Sequence, residues 1–302
     1  MEMSINVNSP IVTVVVHTFN QNNYVAQCLE GVVQQDYLER MKIIVIDDAS
    51  TDETIEICKS FQIRFPGVIE VIELKENEHS QGILVGLSIY KSIKTKYIAW
   101  CDGDDYWIDK SKIRSQVEYL ERNPTIGIVH SDYLYLEEKI DKSKLRERNV
   151  SEIKKAIKSI NGRDLVFGNC IKNSTAMILT SSINLRFASA PFGITARDWL
   201  MYISSAQYLR IHFQETKTAV VRITESGIWN KGSVERNYEN KNLLRWYCAA
   251  SLDESELRNE FRRFLIREEI RKMLSSSHIY KIIRPIFMIS RRIKSKFIEV
   301  IK

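Results

Sequence analysis

No segment of the chain is apolar for long enough to cross a bilayer: runs such as Ile43 to Ile46 and Ile286 to Ile289 fall far short of the ~20 residues a spanning helix needs. Met1 to Pro10 is polar and lacks a basic segment followed by an apolar core, so no secretory signal is expected and the chain is predicted to stay in the cytoplasm. Cysteine is sparse. Cys28, Cys58, Cys101, Cys170 and Cys248 are scattered, odd in number and form no C-x-x-C pair, which argues against a zinc site and for free, mostly buried thiols. Neither G-x-x-x-x-G-K nor G-x-G-x-x-G occurs, which excludes a P-loop and a dinucleotide fingerprint. No internal repeat or low-complexity tract is visible. Excess charge is also missing from most of the chain. The formal net charge is +6, and His278 to Lys302, with seven basic residues and Glu299, carries all of it.

What is present is the composition of a folded protein, 302 residues with 44% apolar and 27% charged, enough for one large domain or a domain with an appendage. Short β-branched runs alternate with amphipathic stretches, the pattern of a parallel sheet covered by helices. Strands are predicted at Ile11 to His17, Lys42 to Asp47, Val68 to Leu74, Tyr97 to Cys101 and Ile126 to Leu136, with helices at Tyr24 to Gln35 and Ile83 to Ser92. Ser50-Thr51-Asp52-Glu53 has capping-box spacing for a helix between them. Beyond Glu137 the chain becomes charged, and Lys139 to Lys158 reads as a mobile, partly helical excursion. Further strands are expected at Ala176 to Leu179 and Thr218 to Ile223, and helices at Asp198 to Gln207, Glu235 to Ala250 and Glu254 to Leu274.

Two acidic clusters follow strands. Cys101-Asp102-Gly103-Asp104-Asp105-Tyr106-Trp107 places three carboxylates in four residues, a crowding that suits Mg²⁺ or Mn²⁺ held by one or two carboxylates plus substrate phosphates. The plainer alternative is an acidic turn capping a helix near Lys110. Asp47-Asp48-Ala49-Ser50-Thr51-Asp52 should reach the same sheet edge, where ligands of doubly wound sheets bind; alone it reads equally as ordinary helix caps.

Val12-Thr13-Val14-Val15-Val16-His17-Thr18-Phe19-Asn20, Ile44 to Asp52 and Cys101 to Asp105 together resemble the N-terminal half of family 2 glycosyltransferases of the bacterial surface-polysaccharide type. The resemblance implies a GT-A fold: α/β, a doubly wound, mostly parallel sheet flanked by helices, with a C-terminal helical extension. It implies that Thr18, Asn20 and Asp48 line a nucleoside pocket, that Asp102 faces the ribose or sugar, and that Asp104 or Asp105 holds a Mn²⁺ or Mg²⁺ ion bridging a diphosphate. Asn77 to Gly82 resembles the family loop under the donor, giving Gln81 and Gly82 a place there, with Gly82 permitting a tight backbone approach. Asp198, in Thr195-Ala196-Arg197-Asp198-Trp199, stands where inverting members carry the general base; read without the resemblance it is a helix cap. Arg197 either pairs with Asp198 or meets acceptor or phosphate. Glu225 to Trp229, after Arg222, resembles the segment that closes over the donor, or is an ordinary surface loop. His17 departs from the family, which more often has proline there, and reads as a packed strand-end residue.

The resemblance further implies a catalytic domain over residues 1–230, with a nucleotide-sugar half to about 135 and an acceptor half over 136–230, then a helical region over 231–302. In the tail, 278–302, ten Ile and Phe residues interleave with the basic ones around Pro285. Such a segment can lie in an anionic leaflet, each basic residue contributing ~1 kcal/mol; a terminal helix or an oligomer contact is the alternative. The expected partners are a nucleotide-sugar donor, by default a UDP-sugar, a glycan or lipid-linked glycan acceptor and the inner membrane surface, with no nucleic acid. A nucleotidyltransferase and a non-enzymatic binding protein acting through the tail compete with this reading. The first usually needs a basic loop after strand one, and Thr18 to Asn23 contains no Lys or Arg. The second leaves both acidic clusters unexplained.

Overall fold

A computed structural model describes residues 9–139, 142–147, 162–189, 194, 196–223, 234–253 and 255–276. Strand β1 (Val12–Thr18) is VTVVVHT, buried at every position but His17; β-branched side chains suit the extended pleat, and burial on both faces is the mark of a central strand. It pairs in parallel with β2 (Met41–Asp47), which pairs in parallel with β3 (Ile69–Glu73); β4 (Tyr97–Asp102) pairs in parallel on the other flank of β1. The chain therefore builds outward on one side and then crosses to the other. Register aligns Thr18 with Asp47 and His17 with Asp102, so the carboxyl ends of three strands meet at one edge beside the crossover, where doubly wound sheets open a crevice.

The sheet continues through β5 (Tyr106–Trp107), β6 (Ile126–Lys139), β7 (Lys142–Glu147), β8 (Met177–Leu179) and β9 (Arg210–Ile223). The order is β3-β2-β1-β4-β8-β6-β9-β5, with β7 on β6. Antiparallel pairing enters through β8, which lies between β4 and β6, whereas β6 and β9 run parallel. Helices α1 (Val25–Val33), α2 (Thr54–Arg64), α3 (Leu87–Ser92), α4 (Lys112–Arg122), α5 (Leu185–Ala188) and α6 (Arg197–Ala206) flank the sheet. On α1 the buried face is Val25, Cys28, Leu29, Val32 and Val33, a helical stripe that joins one core with Val14, Ile43 and Ala99. Burying each large aliphatic side chain contributes about 1.5–3 kcal/mol. The α/β fold with a largely parallel sheet is thus the one expected, and all five cysteines are free, four of them buried.

Several boundaries differ for local reasons. The capping box does not form: α2 starts at Thr54, and the Asp52 carboxylate accepts from the Thr54 N–H at 3.0 Å. Helix α3 starts at Leu87 rather than Ile83, because Gly86 precedes it in the left-handed region, φ +69°. The excursion after Glu137 is strand where described: β7 pairs with β6, and Arg146 Nε donates to Glu137 Oε1 at 2.5 Å, so alternating charges find cross-strand partners. The last strand runs back to Arg210 because its polar first half pairs with β6 from Ile126 onward.

The chain divides into two compact units, Met1–Leu244 and Arg245–Lys302, the division falling within α7 (Val234–Ser251). In the second unit, α8 (Glu256–Ser276) meets the end of α7: Arg245 lies over the Phe264 ring at 4.4 Å, and Arg258 and Arg262 both donate to the Ala249 carbonyl. Among the described residues no helix is long and apolar enough to cross a membrane. The amphipathic tail 278–302 and the Glu225 to Trp229 loop lie outside the described residues.

Candidate active site

At the carboxyl ends of β1 and β2 the two loops stitch each other together. Asn20, at φ +51°, accepts from Thr51 N–H at 2.8 Å through Oδ1, and its own N–H donates to Ser50 Oγ at 2.9 Å. Buried Asp47 accepts from the Ser50 N–H and hydroxyl at 2.8 and 2.5 Å, and burial raises its carboxyl above the usual range. Asp48, also buried, accepts from the Glu78 and His79 N–H groups at 2.7 and 3.1 Å. A carboxylate that receives two backbone N–H groups fixes the loop carrying them, so Asp48 ties Asn77 to Gly82 to the sheet edge. Gly82 has φ +68°, open to glycine at little cost. Gln81 Nε2 donates to Glu76 Oε2 at 2.9 Å. Thr18 Oγ1 and Gln21 Oε1 are buried without a hydrogen-bond partner, and polar atoms in that state mark places where a ligand or water completes the bonding.

His17 is packed, as expected of a strand-end residue. Trp100 Nε1 donates to the Tyr90 hydroxyl at 2.6 Å, and that hydroxyl is hydrogen-bonded to His17 Nε2 at 2.9 Å. Burial, reinforced by His79, lowers the imidazole pKa to about 4, so the ring is neutral.

The acidic loop after β4 sorts its three carboxylates by environment. Gly103 donates its N–H to the His17 carbonyl, and a Cβ there would lie 3.0 Å from that carbonyl oxygen and 3.1 Å from Thr18 Cβ, so a side chain at this position would crowd the end of β1. Asp105 is 5% exposed and committed inward: Oδ2 accepts from the Ser174 hydroxyl at 2.6 Å and Oδ1 from the Arg222 N–H at 2.9 Å. Asp102 and Asp104 are half-buried and less engaged. Burial, then the charges of Asp104 and Asp198, push Asp102 up to about 7. Burial also raises Asp104, against the pull of Arg222 and Lys172. Arg222 stacks between the Tyr24 and Tyr106 rings, at 4.8 and 4.9 Å, and donates to the Asp104 carbonyl at 2.5 Å.

Asp198 lies in the first turn of α6, half-buried, and burial raises its carboxyl. Its Oδ2 accepts from Asn169 Nδ2 at 2.9 Å. The exposed Lys172 lowers Asp102, Asp104 and Asp198 alike, so one cation serves all three. The Arg197 guanidinium donates to the Gly82 and Ala188 carbonyls, bracing the end of the Asn77 to Gly82 loop. The connection between these groups is residues 169–175. Asn169 holds Asp198, Asn173 donates to Asp102 Oδ1 at 3.3 Å, and Ser174 binds both Asp105 and the Asp102 N–H. None of Asn169, Lys172, Asn173 or Ser174 stood out in the sequence; the one available signal was a polar Asn-Ser-Thr triplet opening a strand.

Residues 13–186 match the family model described as glycosyl transferase family 2. The chain belongs to that family. Among curated relatives, an uncharacterized protein of Mycobacterium tuberculosis is 26% identical over 225 residues, covering 72% of this chain and 60% of that one. The poly(ribitol-phosphate) beta-N-acetylglucosaminyltransferase TarS of Staphylococcus aureus is 25% identical over 128 residues, 42% of this chain and 21% of that one. The alignments thus leave a large part of each relative unmatched. The crystal structure of S. aureus TarS 1–349 in complex with UDP-GlcNAc has a TM-score of 0.63 at 18% identity, covering 84% of this chain and 71% of that one. The mannosyltransferase PcManGT from Pyrobaculum calidifontis, in complex with GDP-Man and Mn²⁺, has a TM-score of 0.53 at 14% identity, covering 91% of this chain and 84% of that one. These likenesses establish the shared fold.

A divalent cation at the acidic loop would need hard oxygen donors not already committed within the protein. Among the described residues no three His, Cys, Asp or Glu side chains gather into a ready cage. Mg²⁺ and Mn²⁺ do not need one when a diphosphate and waters supply the other ligands. Asp102 and Asp104 fit that demand: two hard oxygen donors, both held above their usual range by burial and Asp102 also by the Asp104 charge. Asp105 fits it poorly, since both its oxygens are already bonded within the protein.

Proposed function

We propose that this family 2 chain is an inverting glycosyltransferase that moves a sugar from a nucleotide sugar, a UDP-sugar, to an acceptor hydroxyl in cell-surface glycan synthesis. The observation that carries the reading is that one short segment holds Asp198 through Asn169 and Asp102 through Asn173, close enough for the Asp198 charge to act on Asp102, with Lys172 acting on both and on Asp104. A donor diphosphate on the Asp104 side and an acceptor on the Asp198 side would place the sugar between them. TarS is crystallised with UDP-GlcNAc, which supports the choice of nucleotide.

In this reading the acceptor hydroxyl oxygen attacks the anomeric carbon and its proton passes to Asp198. The bond from that carbon to the diphosphate oxygen breaks, and the nucleoside diphosphate leaves with the electron pair. Burial holds the Asp198 carboxyl above its ordinary value, which brings a general base nearer the pH at which it works. Thr18, Asn20 and Asp48 frame the nucleoside, and Gln81 and Gly82 lie on the loop beside it. Asp104, with Asp102 beside it, would hold a Mn²⁺ or Mg²⁺ ion, which as a Lewis acid supplies charge neutralisation for a departing diphosphate. Lys172 and Arg222 add fixed positive charge on the same side. The basic amphipathic tail 278–302 would hold the enzyme at an anionic leaflet, where a lipid-linked acceptor is presented.

The test is release of nucleoside diphosphate and sugar transfer against a panel of nucleotide sugars with Mn²⁺ or Mg²⁺ and candidate acceptors. Wild type should turn over one donor; Asp198→Asn should lose transfer by about 10²–10⁴-fold while still binding that donor, and the product anomer should be inverted. No donor bound or consumed by wild type would refute the proposal.

A further inference from the structure

The segment bearing Asn169 and Asn173 grips one turn of α6 at two points. Asn169 Nδ2 donates to Asp198 Oδ2 at 2.9 Å; four residues on in both elements, the Tyr202 hydroxyl donates to Asn173 Oδ1 at 2.6 Å. Asn173 in turn donates to Asp102 at 3.3 Å. Asp198, the proposed base, and Asp102, on the donor side, are thereby held by one short piece of backbone. Tyr202 is itself fixed, 0% exposed and edge-on to Trp100 at 6.1 Å between centroids.

The Asn169 amide has a defined orientation. Its oxygen accepts from the Ile171 N–H at 3.0 Å, which leaves the amino group as the donor to Asp198. An aspartate at this position could preserve the first bond but not the second, because an ionised carboxylate only accepts. The two carboxylates would then repel each other or share a proton, and either result takes Asp198 out of service as an acceptor of the substrate's proton.

We propose that Asn169 is a positioning residue for the acceptor base: its amide fixes the Asp198 carboxylate in the orientation that receives the acceptor proton, and the 169–173 segment sets the separation between base and donor. This rests on the reading of Asp198 as the base. The test compares wild type, Asn169→Ala, Asn169→Asp and Asp198→Asn at pH 8, measuring kcat, donor KM, UDP affinity by calorimetry and thermal midpoint. Expected is a kcat order of wild type, then Asn169→Ala, then Asn169→Asp, with the last down by about 100-fold. UDP affinity should be unchanged, and Asn169→Asp should melt no lower than Asn169→Ala. A purely structural role through the Ile171 bond gives the reverse order, with Asn169→Asp close to wild type; that result overturns the inference while leaving the glycosyltransferase reading intact. Should Asn169→Asp not fold, full kcat in Asn169→Ala overturns it equally. Absence of turnover by wild type overturns both the function and this role within it.

Discussion

Lys112 is a lysine with almost nowhere to put a charge. It lies at the start of α4, fully buried, with Nζ donating to Gln116 Oε1 at 2.9 Å and standing 4.4 Å from the centre of the Trp107 ring. Burial lowers its pKa from 10.5 to about 7. Each pKa unit corresponds to 1.36 kcal/mol, so the native state disfavours the ammonium by up to about 5 kcal/mol relative to the unfolded chain. Because the folded pKa is the lower one, the unfolded chain binds the extra proton between about pH 7 and 10.5, and stability contributed by this site rises with pH across that window. Below pH 7 both states are protonated and the full handicap applies. Lys112→Met removes the titration. It also strands the Gln116 oxygen, costing about 1–3 kcal/mol, and loses the contact of the amine with Trp107. The variant is therefore expected to be about 1–2 kcal/mol more stable than wild type at pH 7 and less stable than it at pH 10. Urea unfolding followed by circular dichroism at half-unit steps from pH 6.5 to 10 measures the difference. If the two stability curves run parallel across that range, the ammonium is compensated inside the protein and the burial reasoning is wrong.

The three carboxylates of the acidic loop should separate by assay. Asp105→Ala strands the Ser174 hydroxyl and the Arg222 N–H and is expected to lose about 2–3 kcal/mol of stability, whereas Asp105→Asn, able to donate to Ser174 and accept from Arg222, should stay near wild type in both melting and turnover. Asp104→Asn should melt like wild type and lose about 10²–10³ in kcat; an inactive Asp105→Asn beside an active Asp104→Asn would reverse the assignment. Asp48→Ala frees the Glu78 and His79 N–H groups, and limited proteolysis within Asn77 to Gly82 should accelerate as nucleotide affinity falls, a change absent if that loop is held by other contacts.

The strands of the first half were legible because parallel strands buried on both faces read as unbroken β-branched runs, as in Val12 to Val16 and Ile43 to Ile46. The edge they build was legible too, since Thr18 and Asp48 come just after such runs and Asp102 follows the apolar run Tyr97 to Cys101. The beginnings of α2 and α3 were less so: whether Ser50 or Asp52 caps a helix, and whether Gly86 takes a positive φ, depends on loops that fold against each other. Strand β7 reads as a charged excursion until Glu137 is set opposite Lys144 and beside Arg146; without an apolar alternation, the charges alone do not signal that the chain turns back to pair with β6.

The same limit explains what was missed in the site. Asn169 and Asp198 are 29 residues apart and Ser174 and Asp105 are 69 apart, and asparagine or serine before a short strand has ordinary local uses as a turn former. Motifs expose residues whose chemistry is unusual for their neighbourhood, as three carboxylates in four positions are. Residues that orient those groups are chemically commonplace and become visible only through what they touch. The 169–175 segment touches Asp102, Asp105 and Asp198 together. A substitution there can therefore alter turnover while every acidic residue named by sequence is still in place.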